Sequence, residues 1–403
     1  MRVLQVTPRY APAWAFGGGV KISFDVAREL VELGHQVSAY TSDQLDRDRV
    51  AETDKERLEG VAIKRFRNRF QRLAGAYPFV FFRPTGLKRA LRHLDGAFDL
   101  VHVSEARGIH VYWTMKTVPR QGTPVVWSPY GGLAEGDGSR QVYRRLYDLL
   151  FNTREAVGGA AGLIATSSHE KGTLVRLGAN PDRVRVIPLG IQWSDFATLP
   201  ERGAFRRAIG LDDSARVVLF VGRIHRAKNV DMLIRAFARA RVLVAEARLV
   251  IVGNDFGHLD HLKTVVRELG VQSLVTFRGP IYGPDRLAMY ADADVFAITP
   301  NIFEETTLSS LEAAACGTQC VLTHQCEIPG LEEAGAGRTV QCEEEAIAAA
   351  LVEALQTRVP ESRGAAARAM IEARFTVKAT TKEHERFFEE VVDAARRTPA
   401  MPA

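Results

Sequence analysis

Long apolar runs are missing from this 403-residue chain. No window approaches eighteen consecutive apolar residues, so no membrane-spanning helix is expected. The opening stretch, MRVLQVTPRY, enters a β-branched pattern at once. It lacks the apolar core and small-residue cleavage site of a leader, and the chain reads as cytoplasmic. Cysteine is scarce: Cys316, Cys320, Cys326 and Cys342 are the whole supply, with no Cys-x-x-Cys pair among them. Common zinc spacings are therefore absent, and reduced thiols are expected. No Gly-x-Gly-x-x-Gly and no Gly-Lys-Ser/Thr occurs, which argues against a nicotinamide fingerprint and a P-loop. Acidic residues are missing altogether from residues 60–94, where nine Lys and Arg alternate with six aromatic residues. That segment reads either as a solvated helix face over core aromatics or as a surface for anionic membrane or a phosphate-bearing acceptor. Nucleic acid is the weaker reading, because no nucleic-acid-binding motif accompanies the basic run. The net charge of +5 does not choose among these.

What is present is an alternation of short apolar strands with amphipathic helices. RVLQV, HQVSAYT, FDLVHV, TPVVWS, GLIATS and VRVIP are separated by stretches with apolar residues three and four apart. The pattern restarts with ARVVLFVG, ARLVIVG, LVTFRG, DVFAIT and TQCVLT. Strand–helix alternation predicts doubly wound parallel sheets. The expected fold class is α/β, with two facing Rossmann-like domains and ligands beyond the carboxyl ends of the strands, in the cleft between them. The expected boundaries are residues 1–193, 194–375 and a last helix over 376–403.

Three clusters carry the chemistry. In FEETTLSSLEAAACG, residues 303–317, Glu304 and Glu312 are eight positions apart. Over a continuous helix that is about 12 Å, at about 1.5 Å per residue. One small group cannot bridge that separation, whereas a nucleotide-sugar, with a diphosphate between ribose and sugar, can. Thr306 and Thr307 are placed to cap the helix and turn its free N–H groups toward the diphosphate. Glu312 has a second reading, as capping-box partner of Ser309, and spacing does not decide between them. The second cluster, FVGRIHRAKNV, puts Arg223 and Lys228 in the loop after an apolar strand, where they suit a diphosphate or are simply solvated. The third, AFGGGVK, places Gly17 and Gly18 between the first strand and a helix, where backbone N–H groups can approach a phosphate or merely make a turn. A DxD, Asp292 and Asp294, reads as a helix end with solvated carboxylates rather than a metal site.

Taken together these stretches resemble the retaining glycosyltransferases of family 4, of GT-B fold. GGGVKISFDVARELVELGHQVSAYT is similar to the family's opening, VRVIPLGI to its hinge, VGRIHRAKNVDMLI to its Arg…Lys loop, and EETTLSSLEAAACG to its E-x7-E helix. WSPYGGL is similar to a subgroup that builds surface polysaccharides. The resemblance implies that Arg223 and Lys228 neutralise the departing diphosphate, Glu304 holds the transferred sugar and Glu312 the ribose. Backbone at Thr306, Thr307 and Leu308 would contact the donor, backbone at Ile281 the base, and Gly17 and Gly18 the phosphate. Lys21, His102 and Tyr130 fall on the acceptor side. No cofactor and no metal are implied. The implied activity is transfer of a hexose from a nucleotide-sugar to a glycan or lipid-linked acceptor, in cell-surface polysaccharide or glycolipid synthesis, with peripheral membrane contact through residues 60–94. The alternatives are a UDP-sugar 2-epimerase on the same fold or a weakly catalytic nucleotide-sugar binder. Three departures stand out: Thr306-Thr307 replaces Phe-Gly, Leu189 replaces Asn, and Tyr130 stands where many members have a histidine. His102 and His110 are the candidates to stand in for that histidine.

Overall fold

The computed structural model describes residues 1–397 apart from 47, 70–81, 135–139, 282, 305–306, 327 and 358–360. The chain divides into two compact units. One is Met1–Leu189 with the segment from Val377 onward, and the other is Gly190–Thr376.

The first unit is built on a sheet of order β3-β4-β2-β1-β5-β6-β7-β8. Its strands are β1 (Arg2–Val6), β2 (Gln36–Ser42), β3 (Lys55–Leu58), β4 (Val61–Phe66), β5 (Leu100–Ser104), β6 (Val125–Ser128), β7 (Gly162–Ala165) and β8 (Val184–Val186). All neighbours pair parallel except β3 with β4. β5 is buried along its whole length, as expected of a strand covered on both faces. Its helices are α1 (Gly18–Glu32), α2 (Leu87–Arg92), α3 (Ile109–Thr117), α4 (Arg140–Leu150), α5 (Thr153–Gly159) and α6 (Ser168–Arg176).

The second unit has the order β11-β10-β9-β12-β13-β14, parallel throughout. Its strands are β9 (Arg216–Val221), β10 (Ala247–Val252), β11 (Val275–Arg278), β12 (Val295–Ile298), β13 (Gln319–Thr323) and β14 (Gly337–Val340). Helices α7 (Ala204–Ala208), α8 (Val230–Ala240), α9 (Leu259–Glu268), α10 (Pro284–Asp292), α11 (Leu308–Ala315), α12 (Glu344–Gln356) and α13 (Glu361–Arg374) accompany them.

The last helix, α14 (Val377–Arg397), belongs to the first unit. Phe387, Phe388, Val391 and Val392 sit in the same core as Val3, Leu30 and Ile164. Each such side chain contributes about 1.5–3 kcal/mol on full burial. The fit over β7 is close: a Cβ at Gly162 would lie 2.8 Å from the Phe387 ring. His35 Nε2 meets Glu385 Oε1 at 2.7 Å and fixes the helix to the end of α1.

Three buried histidines give the first unit a defined acid response. His102 bonds Ser128 Oγ through Nε2 at 2.8 Å, and its ring lies 5.2 Å from that of Phe388. His384 donates from Nδ1 to the Thr380 carbonyl at 2.8 Å, and His110 donates from Nε2 to the Ser104 carbonyl at 2.9 Å. Burial lowers His102 to about 3 and His110 and His384 to about 4. Below pH about 6.5 an unfolded chain takes up protons that these rings refuse, so stability falls as pH falls. Each contributes up to about 1.4 kcal/mol per pH unit. Glu105 has the opposite sign: burial pushes it up from 4.5 to about 7, so its folded form gains as pH falls through that window. It offsets roughly one histidine. Urea unfolding is expected to show a stability loss of about 2–3 kcal/mol per pH unit between pH 6 and 5, and a flat profile there would contradict this assignment.

Candidate active site

The second unit's site begins at the carboxyl ends of β9 and β10. Gly222 N–H donates to the Val252 carbonyl at 3.0 Å and Ile224 N–H to the Asn254 carbonyl at 2.8 Å, so the two strands stay together past their ends. Gly253 makes this possible: with φ +155 its Cβ would lie 1.8 Å from the Gly222 carbonyl oxygen, which only glycine allows. The following loop is tied down by Asn229, whose Nδ2 donates to the Thr299 carbonyl at 3.1 Å just past β12. It carries the two predicted cations. Lys228 Nζ forms an ion pair with Glu304 Oε2, both side chains being 13% exposed. Glu304 N–H donates to the Gln325 carbonyl at 2.9 Å. Two residues 76 positions apart in sequence are thus joined at the strand ends. Arg223 is exposed, with its guanidinium 5.6 Å from the Phe256 ring centroid.

Thr307 is the N-cap of α11, in extended geometry, and its hydroxyl accepts from Ser310 N–H at 3.3 Å. The helix begins at Leu308, which puts Ser309 inside the first turn. The Ser309–Glu312 capping box therefore does not form, and Glu312 needs another account. It lies on the fifth residue of the helix, 13% exposed, with Oε1 paired to Arg286 at 3.0 Å and Oε2 accepting from Tyr290 O–H at 2.9 Å. Both partners sit on α10, which follows the Ile281 loop after β11. Arg286 and Tyr290 were not singled out from the sequence, although their four-residue spacing places them on one helix face. Thr306 lies outside the described residues.

The DxD differs from expectation. Asp292 is 1% exposed and accepts from Gly203 N–H, Arg206 N–H and Arg206 Nε at 2.8, 2.6 and 2.8 Å. Asp294 accepts from Val217 N–H at 2.8 Å and pairs with Arg202, Arg206 and Arg216. These are buried structural carboxylates, not solvated ones, because the α7 backbone and three arginines converge on them. Among the described residues no three His, Cys, Asp or Glu side chains are grouped as metal ligands. Cys316, Cys320 and Cys326 are buried, and burial pushes Cys316 and Cys326 up to about 12.

In the first unit, Gly17 caps α1 at φ 89, and Gly18 is the first helical residue. Open space surrounds a Cβ at Gly17, so the positive φ alone explains the glycine there. Next to this turn lies Glu105, just past β5 and itself at φ 69. A Cβ on Gly19 would be 3.4 Å from its Oε1. Arg9 is the cation acting on Glu105. Neither Arg9 nor Glu105 stood out in the sequence; for Glu105 the signal was its place directly after a strand. Tyr130 has φ 51, and its burial and neighbours push the phenol up to about 12. The turn it occupies is held by Glu170, which accepts from Gly131 N–H at 2.6 Å and from Thr166 N–H at 2.7 Å. Lys21 is half-exposed and paired with Asp25 at 2.8 Å. Gly17, Glu105 and Tyr130 all follow the carboxyl ends of strands. His102, with no exposed surface, sits inside β5 under α14 and is a core residue. His110 is equally enclosed, so both rings are packed side chains.

Two family models match: "Glycosyltransferase Family 4" over residues 16–193 and "Glycosyl transferases group 1" over residues 215–357. A D-inositol 3-phosphate glycosyltransferase of Kineococcus radiotolerans is 30% identical over 351 residues, covering 79% of this chain and 75% of the relative. A relative of the same name from Rhodococcus opacus is 33% identical over 250 residues, and there the match spans 58% of this chain and 54% of the relative. HepE of Anabaena, crystallised with UDP, superposes with a TM-score of 0.73 at 18% identity over 97% of this chain and 100% of its own. Sucrose-phosphate synthase from Thermosynechococcus elongatus does so with 0.73 at 19% identity over 98% and 99%. The fold is thus GT-B, with one α/β sheet in each unit, parallel except at the β3 edge. With both family models matched in order along it, this chain belongs to glycosyltransferase family 4 and is a hexosyltransferase.

Proposed function

We propose that the chain moves a hexose from a nucleoside diphosphate donor to a phosphate-bearing, membrane-associated acceptor, with retention of configuration and without a metal. The Lys228–Glu304 pair beside the Thr307-capped helix is the observation that carries this reading. A diphosphate entering there competes with Glu304 for Lys228. The freed carboxylate is then available to the sugar hydroxyls. Arg223 and Lys228 neutralise the leaving charge, and the first-turn N–H groups of α11 around Leu308 add to it. Glu312, already aimed by Arg286 and Tyr290, accepts from the ribose hydroxyls, and backbone at Ile281 meets the base. The anomeric C–O bond to the phosphate breaks. The acceptor oxygen bonds to the same face of the carbon, and its proton passes to the departing phosphate. In the first unit, Gly17 and Gly18 offer a backbone turn suited to a phosphate, and Lys21 and Tyr130 are the acceptor-side residues. HepE has been crystallised with UDP-glucose, which supports a uridine donor here. D-inositol 3-phosphate, in the names of the relatives, supports an acceptor bearing phosphate. A role in cell-surface polysaccharide or glycolipid synthesis, on the cytoplasmic face of the membrane, accords with the cations of residues 60–94. Arg67, Arg69, Arg83, Lys88, Arg89 and Arg92 are exposed there.

The test is ligand-induced stabilisation with UDP-, GDP- and ADP-sugars. One of them is expected to stabilise the protein by about 2.7 kcal/mol at a hundredfold excess over its Kd. Glu312→Gln removes a charged acceptor, and donor affinity is expected to fall about ten- to a hundredfold, from about 1.5–3 kcal/mol. Loss of unliganded stability with intact donor affinity would instead make Glu312 a structural partner of Arg286.

A further inference from the structure

Helix α4 turns an apolar face to solvent. Val142, Leu146, Leu149 and Leu150 are 70, 49, 78 and 65% exposed. Their spacing of four, seven and eight residues puts them in one arc about 100° wide at 3.6 residues per turn. The helix is not loosely attached. Tyr147, on its inner side, is buried and donates its hydroxyl to the Gly108 carbonyl at 2.8 Å. Asp148 is held by Arg107 at 3.0 Å from Nε and 2.9 Å from Nη2. The same Arg107 donates to the carbonyls of Gly132 and Leu133, just beyond Tyr130. A side-chain lock therefore holds the apolar arc outward and ties it to the turn placed on the acceptor side.

Beside α4 lies a cationic groove. A cavity of about 670 Å³ between α2, α3 and the turn Pro119–Gln121 is lined by Lys88, Arg92, Lys116 and Arg120, with Tyr112 and Trp113. Lys116 pairs with Glu155 at 3.1 Å, whereas among the described residues Lys88, Arg92 and Arg120 have no ion-pair partner. The groove meets the end of α4, where the Tyr112 ring lies 4.9 Å from that of Phe151, the residue after the helix.

We propose that this face docks on an anionic lipid bilayer, α4 lying at the acyl boundary while the groove receives lipid phosphates. The charge chooses the partner. Unpaired cations of one sign, with a tyrosine and a tryptophan beside an apolar ridge, complement a negative surface with an apolar layer beneath it. The proposal rests on the membrane-associated acceptor suggested above and names the surface that reaches it.

Vesicles of phosphatidylcholine with and without about a third phosphatidylglycerol distinguish the contributions. The full-length protein is expected to partition to the anionic vesicles. Lys88→Ala with Arg92→Ala should weaken that partition about thirtyfold at low salt, from about 1 kcal/mol per cation, and have little effect in 0.5 M salt. Leu146→Ser with Leu149→Ser should weaken it about tenfold or more at both salt concentrations, since apolar insertion is not screened. Unchanged donor-induced thermal shifts in both variants confirm that they fold. The proposal is overturned if wild type binds neither vesicle, or if the leucine variant binds as wild type does. It is equally overturned if wild type is a dimer that the leucine variant dissolves, which would make the ridge a contact between copies. Vesicle binding together with transfer only to water-soluble acceptors would sustain the docking face and remove the lipid acceptor.

Discussion

Lys228→Ala is expected to lower turnover by about 10²–10³ and to weaken donor binding far less. The reason is where the charge develops. In the proposed mechanism the ground-state diphosphate shares its charge with solvent and Arg223, whereas at the transition state the bridging oxygen takes up the bonding pair. Lys228 sits at the carboxyl end of β9, about nine-tenths desolvated, on a loop held by Asn229 and Gly253, so it has little freedom to reorganise. A preorganised cation acts mainly on the transition state. Its partner strengthens the argument: with Lys228 gone, Glu304 is left largely buried and repels the incoming phosphate. Lys228→Ala combined with Glu304→Gln should therefore bind donor better than Lys228→Ala alone while remaining slow. Chelator is expected to leave wild type active. Near-normal turnover in Lys228→Ala, with activity lost in EDTA and restored by Mn²⁺, would remove the proposed mechanism.

The parallel sheets were legible because β-branched runs such as RVLQV and ARVVLFVG are buried on both faces and need no context to be read. β3 was not, since KERL has no apolar periodicity and is held only by pairing with β4. β4 was hidden for the opposite reason. VAIKRF sits in the basic stretch, where Arg65 reads as surface charge, yet it is 3% exposed and bonded to Glu56 and to the Ala11 carbonyl. Phe66 and Phe82 are core residues, so these two aromatics of the stretch belong to packing, while Phe70, Tyr77, Phe79 and Phe81 lie outside the described residues. The site divides in the same way. Lys228 and Glu304 could be named because each lies in a polar loop after an apolar strand. Arg286, Tyr290 and Glu105 act through neighbours distant in sequence, and no local pattern marks such a pairing.

The DxD shows how a motif's spacing can mislead, and Asp292→Ala is expected to cost about 3–5 kcal/mol of stability while sparing donor affinity. Asp292 closes α10 and accepts two backbone N–H groups from the start of α7 as well as Arg206 Nε. Removing it orphans those donors and leaves a guanidinium whose side chain is 7% exposed facing Asp294 at 3.4 Å as its nearest remaining charge. Breaking a buried ion pair by removing its closer partner is the costly outcome. For a unit of this size each kcal/mol lowers Tm by about 2–4 °C, so a fall of about 10 °C is expected. Geometry explains why binding survives. Asp294 N–H donates to the Val217 carbonyl at 3.0 Å, which fixes the motif at the amino end of β9. The Arg223–Lys228 loop leaves that strand's carboxyl end, about 20 Å away over its six residues. Asp292→Asn keeps one acceptor and should fall between wild type and alanine in Tm. If Asp292→Ala instead melted like wild type, lost transfer activity and regained it with Mn²⁺, the carboxylates would be metal ligands, and the arginines around them incidental.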